Sequence, residues 1–217
     1  MEFPDSRILL FAKAPLPGRV KTRLIPRIGA RQASDLHAEL LWRTLGSAAG
    51  GLAPLQLWCT PDTLHPLFQE AARAAEVSLH SQVGNDLGER MAYATKTALA
   101  EAGSVLLIGA DCPVLARSHL RQALDWLAAG RDAVLGPAED GGYVLLGLRR
   151  HHPQLFEGMA WGTGAVLQET RQRLRQLGLT VSELETLWDL DRAEDLQRYR
   201  RQVAPLQALA SGLPDSI

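Results

Sequence analysis

A chain of 217 residues with 23 Lys and Arg against 24 Asp and Glu carries a formal net charge of -1, and 46% of it is apolar. That length suits one α/β domain with a sizeable core, and the even charge balance excludes a general nucleic-acid binder, which would spread basic residues over a face. Cys59 and Cys112 lack metal-ligand spacing and make no disulfide framework, so a reducing cytoplasm is expected; Met1–Asp5 is not the start of a signal peptide, and no apolar run is long enough to span a bilayer.

Ile8–Ala12 reads as a strand, and Leu36, Leu40, Leu41 and Leu45 recur at helical spacing. Leu55–Thr60 predicts a second strand, stopped by Pro61 and followed by a helix over residues 64–75. Residues 77–83 alternate as a third strand, and Leu87, Met91, Ala94 and Ala98 mark the next helix. Val105-Leu106-Leu107-Ile108 is apolar throughout, as a central strand buried on both faces should be. Ser118 is the expected N-cap of a helix with Leu120, Ala123, Leu124 and Leu127 inward. Residues 133–135 and 143–148 predict two more strands. Val166, Thr170, Leu174 and Leu177 line a late helix, residues 181–187 a short strand, and residues 196–209 a last helix before a frayed tail from Ser211. This alternation predicts one domain over residues 1–217, built on a largely parallel sheet covered on both faces. Ligands of such sheets sit beyond the carboxyl ends of the strands.

The residues with chemical potential follow strands. After the first strand, Ala12-Lys13-Ala14-Pro15-Leu16-Pro17-Gly18-Arg19-Val20-Lys21-Thr22-Arg23 forms a cationic loop shaped by prolines and a glycine, with no acid between Ser6 and Ser34. It is neither a Walker A loop nor a dinucleotide fingerprint. Arg19, Lys21 and Arg23 alternate, so an extended backbone would aim all three at one anion; the alternative is a solvated basic loop. Asp111 follows the central strand, where a carboxylate could serve Mg²⁺ on a nucleotide or simply cap a turn. Asp189 and Asp191 stand two apart near the end, where Asp191 could also cap the last helix with Glu194 closing a capping box. Glu139, Asp140, Gly141 and Gly142 fill a turn that suits a hairpin as well as a metal or an acceptor. Gly84, Asp86 and Gly88 frame a helix start whose amides could meet a phosphate or a base, and Trp161 could stack on substrate.

The ordered set Phe-Ala-Lys-Ala-Pro-x-Pro-Gly-x-Val-Lys-Thr-Arg-Leu (11–24), Asp-Leu-Gly-x-Arg-Met (86–91), Ile-Gly-Ala-Asp-Cys-Pro (108–113), Gly-Pro-Ala-Glu-Asp-Gly-Gly-Tyr (136–143) and Trp-Asp-x-Asp (188–191) resembles the bacterial GT-A-like transferases associated with radical-SAM and selenium-domain proteins. The opening loop is more distantly similar to that of phospholactate guanylyltransferase. Residues 189–196 are similar to the Asp-Thr-Pro-Glu-Asp-Leu motif of sugar-activating nucleotidyltransferases, with Arg192-Ala193 where Thr-Pro is usual. The resemblance implies a GT-A fold, a three-layer α/β/α sandwich on a mostly parallel mixed sheet. It implies Mg²⁺, or Mn²⁺ in its place, on Asp111 and Asp191, with Asp140 in reserve. It maps the base-contacting turn onto residues 84–88.

The expected reaction is Mg²⁺-dependent transfer from a nucleotide to a small-molecule acceptor. In the favoured form, nucleotidyl transfer, a nucleoside triphosphate is held by Ala12, Lys13, Gly18, Arg19, Lys21, Arg23, Gly84, Asp86 and Gly88, and pyrophosphate leaves. Lys13, Lys21, Asp111 and Asp140 are the expected catalytic residues, and Glu139, Asp140, Gly141, Gly142 and Trp161 the acceptor side. The alternatives are a glycosyltransferase using a nucleotide-sugar and a nucleotide-binding module without catalysis. An aspartyl-nucleophile phosphatase is set aside, because Asp189-Leu190-Asp191 follows no clear apolar strand and Arg192 replaces the usual Thr or Val.

Overall fold

The computed structural model describes residues 1–202. In chain order the strands are β1 (Ser6–Lys13), β2 (Leu55–Thr60), β3 (Ser78–Ser81), β4 (Ser104–Gly109), β5 (Ala133–Pro137), β6 (Tyr143–Leu148) and β7 (Val181–Glu183). The helices are α1 (Ile25–Ala48), α2 (Pro66–Ala74), α3 (Leu87–Leu99), α4 (Arg117–Ala128), α5 (Val166–Gln176) and α6 (Ala193–Gln202). All seven strands join one sheet in the order β3-β2-β1-β4-β6-β5-β7. Neighbours pair in parallel except at β6, which runs antiparallel to both β4 and β5.

The period-two alternation of strand side chains divides the core into two layers. Ile8, Leu10, Leu106 and Ile108 face the layer holding Leu41 and Leu45 of α1, Phe68 of α2 and Leu124 of α4. Leu9, Val105 and Leu107 face the layer holding Met91 and Ala94 of α3 and Leu174 of α5. Strands buried on both sides need apolar residues throughout, which is why β4 reads as an unbroken run. Gly147 of β6 lets α4 approach: a Cβ there would lie 2.9 Å from Leu106 and 3.0 Å from Leu127.

Two helix starts differ from the sequence reading. Ser118 does not cap α4; the His119 Nδ1 reaches back to accept the Ala116 N–H at 3.0 Å, and the helix begins before Ser118. Asp191 and Glu194 do not cap α6. Asp195 accepts from the backbone N–H groups of Asp191 and Arg192 at 3.0 and 2.7 Å, which leaves the Asp191 carboxylate available elsewhere. The strand expected over residues 181–187 shortens to β7 plus an isolated bridge between Ala138 and Leu187. The rest of the last predicted helix and the tail from Ser211 lie outside the described residues.

Leu106 is fully buried at the centre of the larger layer. Leu106→Ala is expected to cost about 2–5 kcal/mol, read as a lower urea midpoint; an unchanged midpoint would contradict this packing.

Candidate functional site

Strands β2 and β3 lie to one side of β1, whereas β4 lies to the other, so a crevice opens beyond the carboxyl ends of β1 and β4. A cleft of ≈ 760 Å³ occupies that place. Because β6 runs against its neighbours, its starting end and the turn before it lie at the same edge. The cleft is therefore lined by the end of β1, the loop after it, Asp111, and the β5–β6 turn.

The cationic loop is not extended. Gly18 turns it at φ 82°, Lys21 adopts a left-handed conformation at φ 47°, and Thr22–Leu24 forms a single 3₁₀ turn. The three alternating cations consequently separate. Lys21 points inward, with a side chain only 2% exposed, and its Nζ donates to the Leu190 carbonyl at 2.5 Å and lies 2.7 Å from Asp111 Oδ1. Arg23 pairs with Asp191. Arg19 and Lys13 remain exposed on the cleft and form no ion pair among the described residues. The loop is fastened from beneath: Ser34 Oγ donates to the Pro15 carbonyl at 2.6 Å, and His37 Nε2 meets the Lys13 carbonyl at 3.0 Å.

A carbonyl only accepts, so His37 Nε2 carries a hydrogen. Its Nδ1 lies 3.6 Å from Asp111 Oδ1 and has no hydrogen-bond partner. The Asp111 side chain is 51% exposed on the cleft side and held by Lys21 and His37 from behind. Burial opposes its ionisation, yet the Lys21 charge and the His37 imidazole hold the carboxyl well below the usual carboxylate range. Residues 188–191 lie alongside, with the Leu190 N–H donating to the Asp111 carbonyl at 2.9 Å.

Five aspartates line the one cleft; Asp86 stands apart at the start of α3, and the other four, Asp111, Asp140, Asp189 and Asp191, form an acidic group. Lys21 and Arg23 pair with Asp111 and Asp191, while Asp140 and Asp189 have no ion pair among the described residues. Burial, then repulsion from Asp111, Asp140 and Asp191, pushes the Asp189 carboxyl up to about 7 despite the nearby Lys21 ammonium. The Cys112 thiol beside them is pushed up to about 12, chiefly by burial, so it offers little thiolate.

Among the described residues no group of three or more His, Cys, Asp or Glu side chains encloses a metal position. Mg²⁺ does not require such a cage, since it typically takes one or two carboxylates together with phosphate oxygens and waters. The donors present are hard oxygens, and two of them lack a compensating cation. Their chemistry fits a divalent ion delivered with phosphates. Asp189 is more exposed to its neighbours' charge than Asp191, which Arg23 already compensates.

At the other end, Asp86 caps α3 by accepting from the Glu89 N–H at 2.8 Å and also lines the cleft. Gly84 and Gly88 do not line it. A Cβ on Gly84 would lie 2.8 Å from the Arg90 backbone nitrogen, and one on Gly88 2.6 Å from Trp161 Nε1, so both glycines are required for packing. Gln82, which carried no signal in the sequence, lies on the cleft and ties β1 to β2 through the Ala12 and Trp58 carbonyls at 3.3 and 2.8 Å. Ala12 lies on the cleft at the end of β1, whereas Gly18 is outside it.

The Glu139–Gly142 turn is a hairpin connection and also reaches the cleft. Asp140 accepts from the Gly142 N–H at 2.9 Å, and both residues line the cleft. Glu139 instead pairs with Arg198 at 2.8 Å, and neither it nor Gly141 lines the cleft. Gly141 is needed where it stands, at φ 86° with the Gly164 carbonyl against the place of a Cβ. Trp161 lines the cleft edge-on to Tyr143, with ring centres 6.5 Å apart; the indole N–H and the Tyr143 hydroxyl are buried without hydrogen-bond partners. Burial alone pushes the Tyr143 phenol up, so it stays neutral.

The fold and much of the sequence recur in a solved protein from Desulfovibrio desulfuricans G20 named for the nucleotide-diphospho-sugar transferases. It is 34% identical, covering 95% of this chain and 91% of its own, with a TM-score of 0.86. A cytidylyltransferase from Leptospira borgpetersenii (TM-score 0.60, 14% identity, 98% of this chain and 89% of that one) shares the fold. So does glucosyl-3-phosphoglycerate synthase from Mycobacterium tuberculosis, solved with Mn²⁺ and UDP (TM-score 0.55, 14% identity, 98% and 82%). The seven-stranded mixed sheet between helical layers is thus a GT-A-like fold. No curated protein matches the sequence. The family model described as "Uncharacterized protein conserved in bacteria (DUF2064)" matches residues 44–163, more than half of the chain, and the chain belongs to that family.

Proposed function

We propose that this chain is a single-domain nucleotide-dependent transferase, and that its reaction is nucleotidyl transfer from a nucleoside triphosphate to an acceptor. The observation that carries the reading is the division of charge within one cleft: unpaired Lys13 at the end of β1 and Arg19 on the loop after it, with four carboxylates after β4, on the β5–β6 turn and in the segment before α6. Phosphates need the first set, and the divalent ion that accompanies them needs the second.

In this reading Lys13 and Arg19 bind the phosphate chain. Lys21 positions Asp111 instead of touching phosphate, and Arg23 positions Asp191. Asp111 would hold the ion, together with Asp189 or Asp191; when bound, the ion neutralises charge developing on the phosphate oxygens. An acceptor oxygen forms a bond to the α-phosphorus as the bond to the bridging oxygen breaks, and pyrophosphate leaves with the electron pair. The acceptor proton passes to Asp189 or Asp140 and then to water. Glycosyl transfer is the second reading, favoured by the name of the 34% identical relative; it uses the same phosphate and metal groups with two phosphates.

A panel of nucleoside triphosphates and nucleotide-sugars with and without Mg²⁺, scored by thermal shift, tests the reading. Pyrophosphate release from a stabilising triphosphate would establish nucleotidyl transfer, whereas release of a nucleoside diphosphate would establish the second reading.

Arg19→Ala should weaken binding of the stabilising nucleotide by about 10- to 100-fold in calorimetry, the loss of one charge-assisted contact of roughly 1.5–3 kcal/mol. Unchanged affinity would return the loop to a solvated surface. Asp111→Asn, which keeps an oxygen for Lys21 but removes its counter-charge, should abolish Mg²⁺-dependent turnover and lower the melting temperature modestly while the far-ultraviolet circular dichroism stays native.

Lys21→Met should lower stability by about 1–3 kcal/mol, less than the loss of one partner from a fully buried pair because Asp111 faces water. Chemical denaturation reads this directly.

The raised Asp189 carboxyl sets a pH dependence with a definite sign. The native state binds its proton more tightly than the unfolded chain does, so this group removes stability as pH rises from about 4 through about 7. With chelator present, Asp189→Asn should gain melting temperature relative to wild type at pH 8 and not at pH 4, and Mg²⁺ should narrow the gap. A difference independent of pH would show that Asp189 does not carry the repulsion.

A further inference from the structure

The nucleotide reading leaves the acceptor unspecified, and the far wall of the cleft restricts it. That wall is formed by Asp140, Tyr143, Val144, Trp161 and Val166, with Asp189 beside it. Its place follows from the chain path: Leu187 pairs with Ala138, and the Leu187 and Glu139 N–H groups bond the Pro137 and Leu187 carbonyls, so residues 187–190 run alongside the β5–β6 turn. The Lys and Arg residues that line the cleft come from other elements: Lys13 at the end of β1, Arg19, Lys21 and Arg23 on the loop after it, and Arg90 on α3. Lys21 and Arg23 are already paired with Asp111 and Asp191. The Arg90 Nε donates to the Gly84 carbonyl at 3.0 Å.

A phosphorylated acceptor would bring about two negative charges at neutral pH to a wall with two unpaired carboxylates and no cation. A divalent ion shared with the nucleotide would offset those carboxylates and leave nothing for a further phosphate. What the wall does offer is an aromatic pair set edge to face, Tyr143 and Trp161, beside the two unpaired carboxylates; the Tyr143 hydroxyl and the Trp161 indole N–H are themselves buried, the latter against Gly88. Aromatic rings beside carboxylates suit ligands that combine apolar faces with hydroxyl groups, since a hydroxyl can donate to a carboxylate.

Resting on the nucleotide reading, we infer that the acceptor is an unphosphorylated, uncharged polyhydroxyl compound, a sugar or polyol, bound against Tyr143 and Trp161 and presenting a hydroxyl to the Asp140–Asp189 side. Phosphorylated forms of the same compounds are rejected by charge. The transfer then joins the nucleotide to a hydroxyl oxygen, one proton is released, and the acceptor needs no prior phosphorylation.

The test uses the full chain with Mg²⁺ and inorganic pyrophosphate, which fills the cationic side whatever the base and blocks phosphates from binding there. Calorimetry first measures pyrophosphate binding and its loss in Arg19→Ala. Matched pairs are then titrated by saturation-transfer NMR: glucose with glucose 1-phosphate, and glycerol with glycerol 3-phosphate. The parent compounds should bind saturably and at least tenfold more tightly than their phosphates, and the Asp140→Asn/Asp189→Asn double variant should shrink that ratio to threefold or less. Phosphates binding as tightly as their parents, no saturable binding by either parent, or a ratio unchanged in the double variant would overturn the inference while leaving the nucleotide reading in place. Failure of pyrophosphate itself to bind would sink both.

Discussion

The site depends on one buried ammonium. Lys21 Nζ is closed off from water and bonded to the Leu190 carbonyl and to Asp111. Removing a charge from water costs several kcal/mol after relaxation, and the cost is recovered only with good partners. The left-handed backbone at Lys21 adds about 1–2 kcal/mol. Both costs are met by joining three distant parts of the chain at one nitrogen: the loop after β1, the end of β4, and the segment before α6. The Leu190–Asp111 backbone bond and the Arg23–Asp191 pair tie the same segments a second and third time. Assembly of the acidic cluster is therefore part of folding, and Lys21 is a structural cation whose charge is spent before any ligand arrives.

The second constraint is the reversed strand. Had β6 been parallel, its starting end would lie at the opposite edge, far from Asp111. The tight turn at Glu139–Gly142 sends it back between β4 and β5, and the acids of that turn arrive at the carboxyl edge. The turn is held from outside as well. Gly141 has no room for a side chain against Gly164, and its carbonyl accepts the Leu167 N–H at 2.8 Å. The acid next to it is thus placed by the start of α5 as much as by its own hairpin.

These constraints explain which features were legible in the sequence. Leu55–Thr60 and Tyr143–Leu148 form strands with the bounds their sequence predicts, because short, mostly apolar runs set off by Pro54 and Pro61 or by Gly142 and Arg149 leave little choice. Asp111 was legible from its place after the most apolar strand. The direction of the loop cations was not. Alternation predicts a common face only if the backbone is extended, and the turn at Lys21 depends on an acid 90 residues away. Gly84 and Gly88 were legible as special, but a sequence does not distinguish room for a ligand from room for the Trp161 indole. His37 gave no sign, because its partners are a strand-end carbonyl and a carboxylate brought in by the sheet. The capping choice at α6 turned on whether Asp191 or Asp195 reached the free N–H groups, and Arg23 draws Asp191 away.

Partial pairing of the acids gives the cleft its chemistry. If all four carboxylates had cationic partners, a divalent ion would gain nothing by entering. If none had, the ion-free protein would hold four mutually repelling charges on a few loops. The observed state lies between these limits: Asp111 and Asp191 are paired, Asp140 and Asp189 are not, and the repulsion concentrates on the Asp189 carboxyl. Below neutrality a proton on Asp189 relieves that strain; above it, a divalent ion bound as proposed would relieve the same strain at the same place. The chain's net charge of -1 conceals this arrangement, because cations and acids cancel in the count, whereas in the cleft Lys21 and Arg23 pair with two of the acids and leave Asp140 and Asp189 uncompensated.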